Sequence, residues 1–233
     1  MASPRKRLDR DVLVATALAL ADAEGLAAVT TRRVGQEHGV SPMALYRHFR
    51  DKDQILDAIA ERLLSEVHLP ERDDRVWHAQ LHDVLTSLLS VLRPHAAAAG
   101  LVTTRILDSP PGLDLAERTL ELLATAGFEV EQAAEIASQS LCSMVTLVVT
   151  EPGRSQPEAA ESRDDAVRGK QASLATLSPE QYPHVVAAAG ALASCASDDV
   201  YYAHGVELLV AGIRGVHTET HTETLTETQT PAV

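Results

Sequence analysis

The chain has 233 residues but only two cysteines, Cys142 and Cys195. That excludes a disulfide scaffold, and because both have small or apolar neighbours, a reducing compartment with buried thiols is expected. Aromatic residues make up only 3%, with one tryptophan and two phenylalanines, so the core must be built mainly from aliphatic side chains and alanine. No window approaches about eighteen apolar residues without charge, which argues against a membrane span. The opening MASPRKRLDRD lacks the apolar centre of a signal peptide, so a cytoplasmic location is expected. There is no Gly-rich phosphate loop or nucleophile elbow, and neither cysteine has a cationic setting that would activate it. The sequence therefore offers no enzyme site. It also lacks the apolar–polar alternation of strands, so the expected class is all-α.

Hydrophobic residues make up 45% of the chain, as in an ordinary globular protein, and the formal net charge is -13. The charge is unevenly placed. Residues 1–52 carry +3 and the remainder -16. A basic end on an acidic body is the asymmetry expected when one end meets a polyanion.

The helical period recurs along the chain. Leu13, Ala17, Leu20 and Ala21 make one face, which Gly25 ends. Thr30 caps a short second helix that Gly39 closes in the left-handed region. Ser41 caps a third, with Pro42 at its first position. Asp51 and Gln54 read as a capping box for a fourth helix reaching about His68. Further helices are expected from about Val76 to Leu92, through AAAAGLVTTRILD, through GLDLAERTLELLATAG after an SPPG turn, from Val130 to EPG, over 179–194, and after Ser197 or Asp198. Residues 152–172 read as a loop from their Pro/Gly and polar content. The HTET-rich end reads as a disordered tail, whose His217 and His221 could hold a metal only weakly.

The second and third helices with the Gly39 turn form a helix-turn-helix, whose second helix enters the major groove of double-stranded DNA. Pro42, Met43 and Ala44 at its leading end can touch base methyl groups. Tyr46, Arg47 and His48 follow one turn later and can reach phosphates or bases. Leu45 and Phe49 face inward. Thr31 and Arg32 sit where a helix end meets phosphate, Ser41 shapes the entry, and Lys52 holds the other flank.

The stretch TTRRVGQEHGVSPMALYRHFRDKDQILDAI resembles the DNA-binding domain of the tetracycline-repressor (TetR) family of bacterial transcription regulators. The matched features are Thr-Thr-Arg-Arg, Gly-Val-Ser before the recognition helix, Leu-Tyr-x-His-Phe within it, and the lysine leading helix four. More weakly, GFEVEQAAEIASQSLCSMVTLVV and YYAHGVELLVAGIRG resemble the two dimerisation helices of that family's C-terminal domain. The resemblance implies a helix-turn-helix domain over 1–52, a connecting helix over about 53–68, and a ligand-binding and dimerisation domain over 69–216, before the tail at 217–233. It further implies a homodimer, with Leu141, Met144, Val145, Val148, Tyr201, Gly205, Leu208, Leu209 and Gly212 at the interface. Gly205 and Gly212, seven apart, would permit close helix approach.

The implied function is a ligand-responsive regulator, a repressor by the family's habit, released from a near-palindromic operator by a small effector. An activator of the same family is the alternative. His68 matches a histidine that contacts drug in tetracycline repressors, but the other polar drug positions hold Val84, Leu88 and Val102. A tetracycline–magnesium effector is therefore not expected. The expected pocket is mostly apolar, with His68, Leu88, Ser138 and Leu141 in its lining and no cofactor.

Two readings outside this class remain. His78 and His82, at i and i+4, suit two zinc ligands, but HAQLH lacks the glutamate of a metalloprotease helix and a third ligand. A helical protein-interaction module using the acidic body would leave the basic-aromatic segment unexplained.

Overall fold

The computed structural model describes residues 9–151, 160–193 and 198–227. Among the described residues there are twelve α-helices: α1 (Arg10–Glu24), α2 (Thr31–Glu37), α3 (Pro42–Leu45), α4 (Lys52–Glu66), α5 (Trp77–Leu92), α6 (Ala96–Arg105), α7 (Pro110–Ala126), α8 (Val130–Val149), α9 (Ala160–Ala175), α10 (Pro183–Ala187), α11 (Ala189–Ala193) and α12 (Asp198–Glu227). Short 3-10 turns at Arg93–His95 and Ile106–Asp108 flank α6. Among the described residues there is no strand.

The local signals act as chemistry requires. Asp9 caps α1 through the Asp11 amide, and Gly25, at φ 82°, ends it. Thr30 accepts from the Arg33 amide at 3.0 Å. At the end of α2 the Val40 amide bonds the Gly35 carbonyl and the Gly39 amide bonds the Gln36 carbonyl, with Gly39 at φ 62°. That pair of bonds is a Schellman motif, which needs the left-handed residue glycine supplies. Asp51 caps α4 through the Gln54 amide at 2.9 Å. The Gln54 side chain reaches back to the Arg50 amide, one residue before the usual capping-box partner.

α1 to α4 form a small bundle around Leu13, Ala17, Val29, Val34, Leu45, Phe49, Ile55 and Ile59, all essentially sealed from solvent. The core runs on without a break through α4 into the larger bundle of α5 to α8 and α12. Both halves thus share α4, and a movement of α4 is felt on both sides. Trp77–Asp108 is long and apolar enough by composition to cross a membrane. Here that apolarity is used internally: Leu81, Val84, Leu85, Leu88, Leu92, Ala98, Ala99 and Val102 are core residues. Trp77 packs edge-on against Phe128 at 6.0 Å between ring centroids, and His217 of α12 lies 5.8 Å from the same indole.

Four sequence expectations are corrected. SPPG is not a separate turn: Ser109 occupies the cap position and Pro110 and Pro111 are the first residues of α7, where a missing N–H costs nothing. Part of the expected 152–172 loop is α9; Pro152, Gly153 and Pro157 lie upstream of Ala160, and the segment beyond, although it contains Gly169, is rich in helix-forming Ala, Arg, Lys and Gln. The expected helix over 179–194 is two short ones, α10 and α11, that pack with α9. The tail is helical through Glu227, because propagating an established helix is far easier than starting one. Residues 228–233 lie outside the described residues.

Candidate functional site

Two regions gather the chemistry. The first is the face of the N-terminal bundle around α3. Leu45 and Phe49 are anchored in the bundle core, and the Arg10 guanidinium lies 5.4 Å from the Phe49 ring centroid. That anchoring turns the intervening residues outward: Ser41, Tyr46 and Arg47 are exposed, and Met43 is 72% exposed. Met43 and Tyr46 are the two large apolar side chains of this stretch left open to water. Arg32 is exposed, while Thr31, Ala44 and His48 are half-buried beside it. Pro42 heads α3, which is a single turn; Tyr46 to His48 continue as a turn and not as the longer helix expected from SPMALYRHF.

The basic residues divide into two roles. Arg33 is bound to Glu24 at 2.7 Å and to Glu37, which raises its pKa and makes it a brace between α1 and α2. Lys52 is half-buried and donates to the Leu26 carbonyl at 2.7 Å, pinning the start of α4 to the loop after α1. Two of its three N–H donors are left for other partners. The Thr16 hydroxyl donates to the Val12 carbonyl and lies 2.8 Å from His38 Nε2. The contact ties α1 to the residue that ends α2.

The second region is a cavity of about 310 Å³ between α5, α6, α7 and α8. Its walls include Val84, Leu85 and Leu88 of α5, Thr103 and Ile106, Leu115 and Thr119 of α7, and Ser138, Ser140 and Leu141 of α8. The expected residues Leu88, Ser138 and Leu141 thus lie together on it. His68 does not: it is exposed beyond the end of α4, since α4 stops at Glu66 and turns that side chain to solvent. Cys142, expected to be buried, is exposed and lines the cavity, and Cys195 lies outside the described residues. Sequence reasoning also missed Thr103, Thr119 and Ile106, which only the tertiary packing brings to one wall.

Polar contacts tie the cavity walls to the N-terminal bundle. Arg105, at the end of α6, donates to Asp57 of α4 at 2.7 Å. His95, in the turn before α6, lies 2.7 Å from Asp22 of α1. On the far side of α7, buried Arg118 donates to Gln80 at 2.6 Å and to Glu121 at 2.9 Å. Gln80 in turn donates to the Asp73 and Arg75 carbonyls, so the connection from α4 to α5 is clamped onto α7. Arg72, then Arg118, hold the Glu121 carboxyl below its usual range.

The expected interface residues are only partly available to a second chain. Met144, Val145 and Val148 are buried in the protomer's own core. Gly205 is close-packed against Leu147 of the same chain, whose Cδ1 would stand 2.5 Å from an added β-carbon. Leu141, Tyr201 and Leu209 are half-buried against that core. α8 and the first half of α12 carry apolar residues on more than one side, so an apolar stripe there does not by itself say which side turns inward. Leu208, 74% exposed, and Gly212 do face outward. His78 packs edge-on against Trp77 at 5.4 Å, and burial, then Arg214, push its pKa down. His82 lies 3.7 Å from Asp83.

Residues 13–59 match the family model of bacterial regulatory proteins, tetR family, and residues 69–217 match that of the tetracyclin repressor-like C-terminal domain. The tetracycline repressor protein class C of Escherichia coli is 28% identical over 92% of this chain and 94% of its own length. Among solved structures, apo ActR of Streptomyces coelicolor is 28% identical, with a TM-score of 0.75 over 94% of this chain and 100% of that one. ActR in complex with actinorhodin has a TM-score of 0.74 at 28% identity, over 90% of this chain and 98% of that one.

Proposed function

The chain belongs to the tetR family of bacterial regulatory proteins, and from that premise we propose that it is a cytoplasmic, ligand-responsive transcriptional regulator and not an enzyme. It acts as a homodimer that represses by occupying a near-palindromic operator and leaves it when a small, largely apolar effector enters the α5–α8 cavity. The observation that carries this reading is the outward cluster Arg32, Ser41, Met43, Tyr46 and Arg47, held on a helix-turn-helix at the basic end of an acidic chain. Thr31, Pro42, Ala44, His48 and Lys52 complete that surface. Negative charge on the body repels a polyanion elsewhere and helps confine contact to this face.

The division of labour follows from chemistry. Arginines and helix-end amides fix position on the phosphates, while Met43, Ala44 and Tyr46 meet base edges. Outward Leu208 and Gly212 of α12 meet their equivalents across a two-fold axis. The dimer then sets two recognition helices about 34 Å apart, one turn of DNA. Release requires the effector to bind the DNA-incompetent arrangement more tightly than the competent one. Thr103 and Ile106 line the cavity on either side of Arg105, whose ion pair grips α4. A ligand that shifts that wall therefore shifts α4 and the helix-turn-helix with it.

Selection of genomic fragments bound by the purified chain, followed by gel shift at increasing salt, tests the reading. A sequence-preferring complex that weakens steeply with salt is expected. Tyr46→Ala should cost about 1–3 kcal/mol on the selected site. A dimer that retains no fragment preferentially would end the regulator reading, and transcription from the selected promoter with and without the chain separates repression from activation.

A further inference from the structure

Resting on the effector reading above, we propose that the cavity selects an uncharged, ring-based molecule that donates a hydrogen bond, a phenol or hydroxylated polycycle, and rejects carboxylates and metal chelates. The lining contains no Lys, Arg, His, Asp or Glu among the described residues. Its inner polar atoms are hydroxyls whose protons are already committed. Thr103 donates to the Gly100 carbonyl at 2.8 Å, Thr119 to Leu115 at 2.8 Å, and Ser140 to Ile136 at 2.7 Å. A hydroxyl bonded back to its own helix keeps its lone pairs but has no proton left to offer. The helical amides of these walls are spent in the same way. The inner surface of the cavity is therefore apolar with accepting spots, two of them the buried Thr119 and Ser140.

This polarity decides among ligand classes. A carboxylate entering the inner part loses its hydration and meets no cation there, with only the exposed Ser138 hydroxyl and Cys142 thiol at the rim to donate, an unfavourable transfer. A metal chelate finds no imidazole or carboxylate to complete the coordination of its ion, since His68 lies outside the cavity. An unsubstituted hydrocarbon fits the apolar walls but leaves the accepting oxygens without a donor. A neutral ligand hydroxyl satisfies them and keeps the hydrocarbon contact. The volume of about 310 Å³ is at the small end for ligand cavities and suits a compact ring system.

The probes are 2-naphthol, naphthalene and 2-naphthoate, titrated calorimetrically into the full chain at about pH 7.5, where the first two are neutral and the third is an anion. Naphthol is expected to bind about tenfold or more tightly than naphthoate, and several-fold more tightly than naphthalene. Combining Thr119→Val with Ser140→Ala should erase naphthol's advantage over naphthalene while leaving naphthalene unchanged. Leu88→Trp should abolish binding of all three by filling the cavity. Ser138→Trp, at an exposed lining position, provides a second filling variant should Leu88→Trp fail to fold. Naphthoate binding as tightly as naphthol, with both lost on filling, would overturn the donor rule while sparing the cavity as the effector site. Naphthol binding that survives filling would overturn both, and a wild-type chain that does not bind naphthol would overturn the proposal directly.

Discussion

Gly112→Ala probes how the cavity wall is held. Gly112 is buried in the first turn of α7, and an added β-carbon would stand 1.8 Å from the Ile106 carbonyl oxygen and 2.7 Å from its carbon. Both are backbone atoms of the 3-10 turn that joins α6 to α7, so no rotamer change relieves the overlap. The turn must retreat by roughly 1.5 Å to restore ordinary contact. Overpacking costs about 1–3 kcal/mol in cores that can adjust, and alanine's better helix propensity returns about 1 kcal/mol at most. Backbone cannot adjust as side chains do, so the cost belongs at the upper end, for a net loss of about 2 kcal/mol. In a chain of this size that lowers Tm by about 4–8 °C in a circular-dichroism melt. Gly205→Ala is the matched control. Its obstacle is the two methyl groups of Leu147 at 2.5 and 2.9 Å, which can rotate away, so the loss should stay below about 1 kcal/mol. A wild-type Tm for Gly112→Ala, or a larger loss at Gly205 than at Gly112, would refute the argument.

Arg118→Met keeps the buried bulk but leaves the Gln80 carbonyl oxygen without its donor; urea unfolding should show a loss of about 1–3 kcal/mol, and an unmoved midpoint would remove the clamp from the account. Burial lowers the pKa of His78 from 6.5, so the unfolded chain binds that proton more readily. The stability it contributes is fully present above pH 6.5 and is lost as pH falls through its lower folded value. His78→Gln should therefore flatten the fall in Tm between about pH 7 and 5, and an identical slope in both proteins would contradict this. Leu208→Glu adds a charge to an exposed helix position, harmless to a lone protomer but placed on the proposed two-fold face. Sedimentation should show a monomer with wild-type helicity; an intact dimer would relocate the interface.

The DNA-facing half was more legible than the cavity half because its signals are local. A cap at Thr30, a positive φ at Gly39 and a cap at Asp51 each act within a few residues, and the spacing of Leu45 and Phe49 then dictates which side chains turn outward. The length of α3 was not legible, because whether Tyr46 to His48 continue a helix depends on how Phe49 docks beside Arg10. For the cavity, the family resemblance supplied Leu88, Ser138 and Leu141, but the apolar period could not tell an inward stripe from an outward one on α8 and the first half of α12, where apolar residues occur on more than one side. Met144 and Leu208 look alike in sequence; one is sealed in the protomer and the other is 74% exposed.

The same distinction explains why the close packing of the α6–α7 junction was invisible in the sequence. SPPG carries every mark of a surface turn, yet its glycine is the one residue that can lie against the Ile106 carbonyl. Three functions meet there within eight residues: Arg105 grips α4, Ile106 lines the cavity, and Gly112 lets the first turn of α7 lie against the Ile106 carbonyl. A loose junction would let a ligand deform the wall without moving α4. If the proposed effector displaces Ile106, the close packing at Gly112 predicts that the shift is passed to Arg105 and so to Asp57. A release mechanism driven from the cavity therefore needs this stiffness more than it needs any single contact to the effector.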